Sequence, residues 1–165
     1  MGKLRELLAA EADKYRSEKA KREQTIREWL GVLDGLFHEI DTWLKACDPE
    51  GLLDVASEPV VVNDPALGEY PVPSRRVTLG NRLVEIVPRT RYVTTTIRPP
   101  GAEKPIRAQG LVEIRHLGWA TYSLYRLPDS LWCIRSSSQA LYGATDAVEL
   151  LDAENLEAAL ASMLR

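Results

Sequence analysis

Histidine and cysteine are scarce in this chain of 165 residues, with two of each, and phenylalanine occurs once. Histidine is the side chain that changes charge near neutral pH, so its scarcity leaves little for acid-base catalysis. His38 lies in the stretch Phe37-His38-Glu39-Ile40-Asp41, and position 42 is Thr, so the zinc motif H-E-x-x-H is not formed. His116 alternates with Val112 and Ile114, which places it on an apolar side near a strand end. Cys47 and Cys133 stand far apart, one in a helical pattern and one in a strand pattern, without disulfide or zinc spacing. Both are expected as small core hydrophobes.

Other signatures are missing too. Ser136, Ser137 and Ser138 sit in no G-x-S-x-G context, and the Ser-Ser-Ser-Gln run reads as a turn after the Trp132 strand. Neither a P-loop nor a dinucleotide-binding glycine pattern occurs. The carboxylates Glu39, Asp41, Glu85 and Glu113 are single charges beside bases rather than a catalytic pair. No enzyme, cofactor or metal is therefore expected. No apolar run approaches membrane-spanning length, and the first 24 residues have no apolar signal core, so a cytoplasmic protein without membrane contact is the expectation.

What is present is an ordinary globular composition, 45% hydrophobic and 27% charged, with a net charge of −3 spread unevenly. Residues 1–50 carry 9 basic against 11 acidic side chains, residues 51–140 carry 11 against 8, and residues 141–165 carry 1 against 5. The centre is the mildly basic part, and its bases are nearly all arginine.

Ile26, Trp29, Leu33, Leu36, Phe37, Ile40, Trp43 and Cys47 recur at steps of three and four, which puts them on one helical face. Leu4, Leu7, Leu8, Ala12 and Tyr15 carry the same rhythm weakly, then fade into a charged, helix-favouring run. Thr25 followed by Glu28 fits a capping box, so residues 2–47 form one helix or two joined near Gln24. Gly31 and Gly35 each cost such a helix about 1 kcal/mol, which suggests close approach of another backbone. Pro49 and Gly51 end it.

From Pro59 the period becomes two. Strand patterns cover 60–62, 76–79, 82–87, 92–98, 107–117, 120–127 and 131–136, separated by turn signals such as Gly80-Asn81 and Leu117-Gly118. Ala147 to Leu151 reads as a last edge strand, and Asp152 caps a closing helix striped by Leu156, Leu160, Met163 and Leu164. The fold class is α+β: a long N-terminal amphipathic helix, an antiparallel sheet or partly closed barrel of about six to seven strands, and a C-terminal helix. Residues 1–50 are expected as a coiled-coil-like extension, and 51–165 as the β-domain.

The leading functional expectation is a non-enzymatic protein-interaction or assembly module, a subunit of a homo-oligomer or larger complex. Its interface would be Leu4, Leu8, Tyr15, Ile26, Trp29, Leu33, Leu36, Phe37, Ile40 and Trp43. The competing expectation for the richer part of this stripe is that it covers the β-domain. A nucleic-acid-binding accessory subunit is the alternative, with Arg75, Arg76, Arg82, Arg89, Arg91, Arg98 and Arg107 contacting phosphate or another anion. Against it, outward strand positions must be polar in any case, and edge charges deter aggregation.

Overall fold

A computed structural model describes residues 2–138 and 147–165. Helix α1 spans Lys3–Cys47 without a break, about 67 Å at the standard rise. Thr25 and Glu28 do not cap a second helix: the Thr25 hydroxyl donates to the Lys21 carbonyl (3.0 Å) and Glu28 accepts from Gln24 (3.0 Å). In mid-helix the backbone amides already have partners, so a capping sequence has nothing to cap. The helix ends at Asp48, whose carboxylate accepts from the Leu52 and Leu53 amides at 2.8 and 2.9 Å. Gly51 turns the chain with φ of 68°.

The chain then forms β1 (Asp54–Asp64), β2 (Gly68–Leu79), β3 (Arg82–Thr90), β4 (Thr96–Ile97), β5 (Ile106–Arg107), β6 (Leu111–His116), β7 (Trp119–Arg126), β8 (Trp132–Ser136) and β9 (Glu149–Leu150), and closes with α2 (Ala153–Leu164). Seven strands make one open sheet in the order β1-β2-β3-β6-β7-β8-β9, with every neighbouring pair antiparallel. Strands β4 and β5 pair separately. The expected strand over 92–98 shrinks to Thr96–Ile97, because this excursion leaves the main sheet. Ser136 belongs to β8 rather than to a turn, and Gln139 lies outside the described residues.

Helices α1 and α2 each contribute to one core, where Trp29, Leu33, Leu36, Phe37, Ile40 and Leu44 meet Val77, Val84, Ile86, Val112, Ile114, Leu124, Trp132 and Ile134 from the sheet and Leu156 and Leu160 from α2. The core thus runs across residue 50. A second cluster forms where Val93, Ile97, Ala108 and Val148 meet Tyr125 and Cys133.

The hairpin turns follow the sequence signals. Leu79 pairs with Arg82 around Gly80, whose φ is 61°. Leu117 and Gly118 both have positive φ, 53° and 80°, the geometry a two-residue turn needs to match strand twist.

Cys133 is buried, as expected, with its thiol pKa pushed up to about 11 by burial and by Asp129. Cys47 departs from expectation: it is exposed at the end of the helix. Its sulfur contacts the Leu44 carbonyl (3.3 Å), and partial burial of the thiol, then Glu157 and Asp48, raise its pKa.

Gly31 and Gly35 also differ from expectation. A methyl group at either position would meet no atom within 4 Å, and both residues are exposed. No backbone approach requires them. Gly31→Ala and Gly35→Ala should each stabilise the protein by about 0.5–1 kcal/mol through helix propensity. Thermal melts of the two single variants check this.

Candidate functional site

Two halves of helix α1 behave differently. Along residues 2–24 every position is exposed, whereas from Thr25 onward burial alternates with helical period. The body first grips the helix at Arg22, whose guanidinium donates to the Leu67 carbonyl (3.3 Å) beside the β1–β2 turn. Everything before it projects as an arm. Leu4, Leu7, Leu8 and Tyr15 stand on this arm with 68, 56, 60 and 68% of their surfaces exposed.

The arm's apolar edge has a direction. Leu8, Tyr15, Trp29 and Leu36 are separated by multiples of seven residues, and a straight helix drifts only about 20° per heptad. Leu8 and Tyr15 therefore share a side with Trp29, and the edge overhangs the end of the body on the side to which the sheet packs.

The rest of the stripe is interior. Trp29, Leu33, Leu36, Phe37 and Ile40 are at most 2% exposed, and Ile26, Leu30 and Trp43 pack partly buried against the same core. These side chains cover the protein's own sheet. Of the expected interface residues, Leu4, Leu8 and Tyr15 alone stand clear of it.

The expected arginine surface is dispersed. Arg75 lies on the helix side, bonded to both Asp41 oxygens (3.0 and 3.1 Å), to Ser57 (3.0 Å) and to the Ser74 carbonyl (3.1 Å), and stacked 4.7 Å over Phe37. It fastens α1 to β2, with four of its five N–H donors committed within the protein. Arg76 pairs with Glu58 at 3.7 Å and Arg89 with Glu113 at 3.1 Å. Arg91 donates to the Gln109 carbonyl (2.8 Å), and Arg107 to the Val93 carbonyl (2.7 Å). Arg98 continues a backbone bridge to Ala147. Arg82 is exposed beside the Gly80 turn. The structure does not bring the seven together on one face.

Two residues that the sequence pattern does not mark prove central. Asp64 is 1% exposed at the end of β1. One of its oxygens accepts from the Ala66 amide (2.9 Å), the other from the Tyr70 hydroxyl (3.2 Å), the Thr90 hydroxyl (3.0 Å) and the Arg91 amide (3.3 Å). Placed between Asn63 and Pro65, it has the sequence surroundings of an ordinary turn residue. Gly110, just before β6, sits under Trp29, whose ring carbons Cζ3 and Cη2 occupy the space a side chain would need. A glycine inside the strand pattern 107–117 was its one signal.

Compared with models of protein families, with characterised proteins and with solved structures, this chain matches none. Its function is therefore read from geometry.

The grooves offer little chemistry. One of about 700 Å³ between the end of α1 and β1 is lined by Asp41, Lys45, Asp48, Asp54, Ser57 and Arg75, a mixture of both charges. Another of about 380 Å³ is apolar, between Leu44, Leu53, Leu79, Leu160 and Leu164. Among the described residues no group of three His, Cys, Asp or Glu side chains is placed to hold a metal, and no helix is long and apolar enough to cross a membrane. His116 contacts the Leu83 carbonyl through Nδ1 (3.3 Å), a strand-rim position.

Proposed function

We propose that this protein is an assembly module, a cytoplasmic subunit whose folded body holds out a helical arm for coiled-coil-like association with another chain. The observation that carries this reading is the uninterrupted exposure of residues 2–24 on a helix whose second half is the spine of the core. Most helix stability in proteins comes from tertiary packing, and the exposed stretch has none of its own. Here continuity with the buried half removes the cost of nucleation, so the arm is presented already ordered. Preordering lowers the entropy lost on docking, which makes a short apolar edge useful for recognition.

Dispersed arginines give less support to the nucleic-acid alternative, because neutralising a phosphate backbone calls for a continuous basic face.

Leu4→Asp combined with Leu8→Asp tests the proposal. Both side chains are exposed, so the melting temperature should hold to the few tenths of a kcal/mol typical of surface changes, while association measured by light scattering or pull-down weakens. A drop of several degrees in melting temperature would mean that the arm folds back on the body, and the proposal would fail.

A further inference from the structure

We infer that the groove between residues 91–93 and 107–109 binds a phosphate monoester dianion, at a site separate from the helical arm. At about 250 Å³ this groove is smaller than the two at the end of α1, and it differs from them in charge. Arg91 and Arg107 line it, and no acidic residue does. The two arginines lace it crosswise. Arg91, just past β3, donates through Nη1 to the Gln109 carbonyl (2.8 Å), and Arg107 on β5 donates through Nε to the Val93 carbonyl (2.7 Å). One carbonyl bond holds each guanidinium in place. It uses one of five N–H donors, so four on each are left without a partner among the described residues.

Neither guanidinium forms an ion pair among the described residues, in contrast to Arg75, Arg76 and Arg89. Asp64 accepts from the backbone amide of Arg91 (3.3 Å) rather than from its side chain. Arg126 adds a further positive charge beside Arg91. Its pKa is lowered first by burial and then by the charge of Arg91, and its Nε is buried without a partner. Glu39 shares a different groove with Arg126 but forms no ion pair with it. Like charges held together without a counterion cost free energy, and a bound anion removes that cost.

Arginine forks suit phosphate and carboxylate oxygens alike. Charge decides between them, because a dianion neutralises both guanidinia and a carboxylate only one. The unused donors also outnumber the roughly four lone-pair sites of a carboxylate. Tyr92, 49% exposed with its ring centroid 5.5 Å from the Arg91 guanidinium, gives the ester's organic group an apolar wall.

Nuclear magnetic resonance titration of the full chain tests the inference, at constant ionic strength and about pH 8, where a phosphate monoester is a dianion. Inorganic phosphate should shift the resonances of residues 91–93 and 107–109, including both arginine Nε–H groups, with a Kd on the order of 1 mM. Phenyl phosphate should bind at least as tightly. Dimethyl phosphate, which carries the single charge of a nucleic-acid backbone unit, should bind about fivefold more weakly, as should acetate. Arg107→Gln should raise the Kd for phosphate about fivefold, while Arg82→Gln, an exposed arginine outside the groove, should leave it unchanged.

If Arg107→Gln disturbs the fold, the shift map of the wild-type chain decides alone. Shifts at Arg76, Arg82 and Arg89 as large as those in the groove would overturn the site. So would the absence of a saturable shift at about ten times the expected Kd. Dimethyl phosphate binding as tightly as inorganic phosphate would overturn the assignment to a dianion.

Discussion

Replacing Asp64 with alanine should destabilise the protein by about 3–4 kcal/mol, a drop in melting temperature of about 10 °C for a chain of this size. The side chain is almost wholly buried and joins three pieces of the fold: the β1–β2 turn through the Ala66 amide, β2 through the Tyr70 hydroxyl, and the end of β3 through Thr90 and the Arg91 amide. Truncation removes one acceptor group and strands several donors out of reach of water, and the stranded donors account for most of the cost. Asp64→Asn should be milder, because one amide oxygen still accepts.

Tyr70 reports on the same cluster. Burial, then the nearby charge of Asp64, push its phenol pKa well above the ordinary value. The unfolded chain ionises this group near pH 10, so the stabilisation is complete below that pH and is lost as the solution becomes more alkaline. In Asp64→Ala the phenol of the folded protein should ionise at lower pH, visible as phenolate absorbance. Unchanged stability and an unchanged phenol titration would show that the cluster is not the hub of this end of the fold.

Gly110→Ala should cost about 3 kcal/mol, the upper part of the overpacking range. The new Cβ would sit 2.6 Å from both Cη2 and Cζ3 of Trp29, about 1 Å inside normal carbon contact. The ring has little room to yield, because Trp29 has no exposed surface and packs on Trp132 with centroids 6.2 Å apart. Relief has to come from a shift of α1 against the sheet. Paired with Trp29→Phe, the glycine substitution should become cheaper, so the double variant falls short of the summed single effects by at least about 1 kcal/mol. Strict additivity in chemical denaturation would show that Trp29 does not set the spacing.

The contrast between Gly110 and the helical pair Gly31 and Gly35 explains what the sequence could reveal. All three look alike as letters inside a periodic segment. Close approach belongs to the glycine whose Cβ direction points at another element, and that direction is fixed by register, which a single sequence does not display. Period-three-and-four and period-two patterns did determine the long helix, the meander and the capped final helix, because each pattern is imposed by one apolar face. The same patterns could not say what the stripe on α1 faces, since its own sheet and a foreign helix both ask for Trp, Leu and Ile. Asp64 was hidden for a related reason. An Asp before Pro is common turn chemistry, and only tertiary structure brings Tyr70 and Thr90 to its side.

Because α1 runs from Lys3 to Cys47 without interruption, the arm acts as a ruler and a compass at once. The number of residues between Tyr15 and Trp29 sets both how far the apolar edge stands from the body and the direction in which it faces. Each added or removed residue changes the reach by about 1.5 Å and swings the edge by about 100°. Loss of seven residues would shorten the reach yet nearly preserve the heading, while loss of two would turn the edge away from the overhang. The length of this helix is therefore a geometric setting as well as a span.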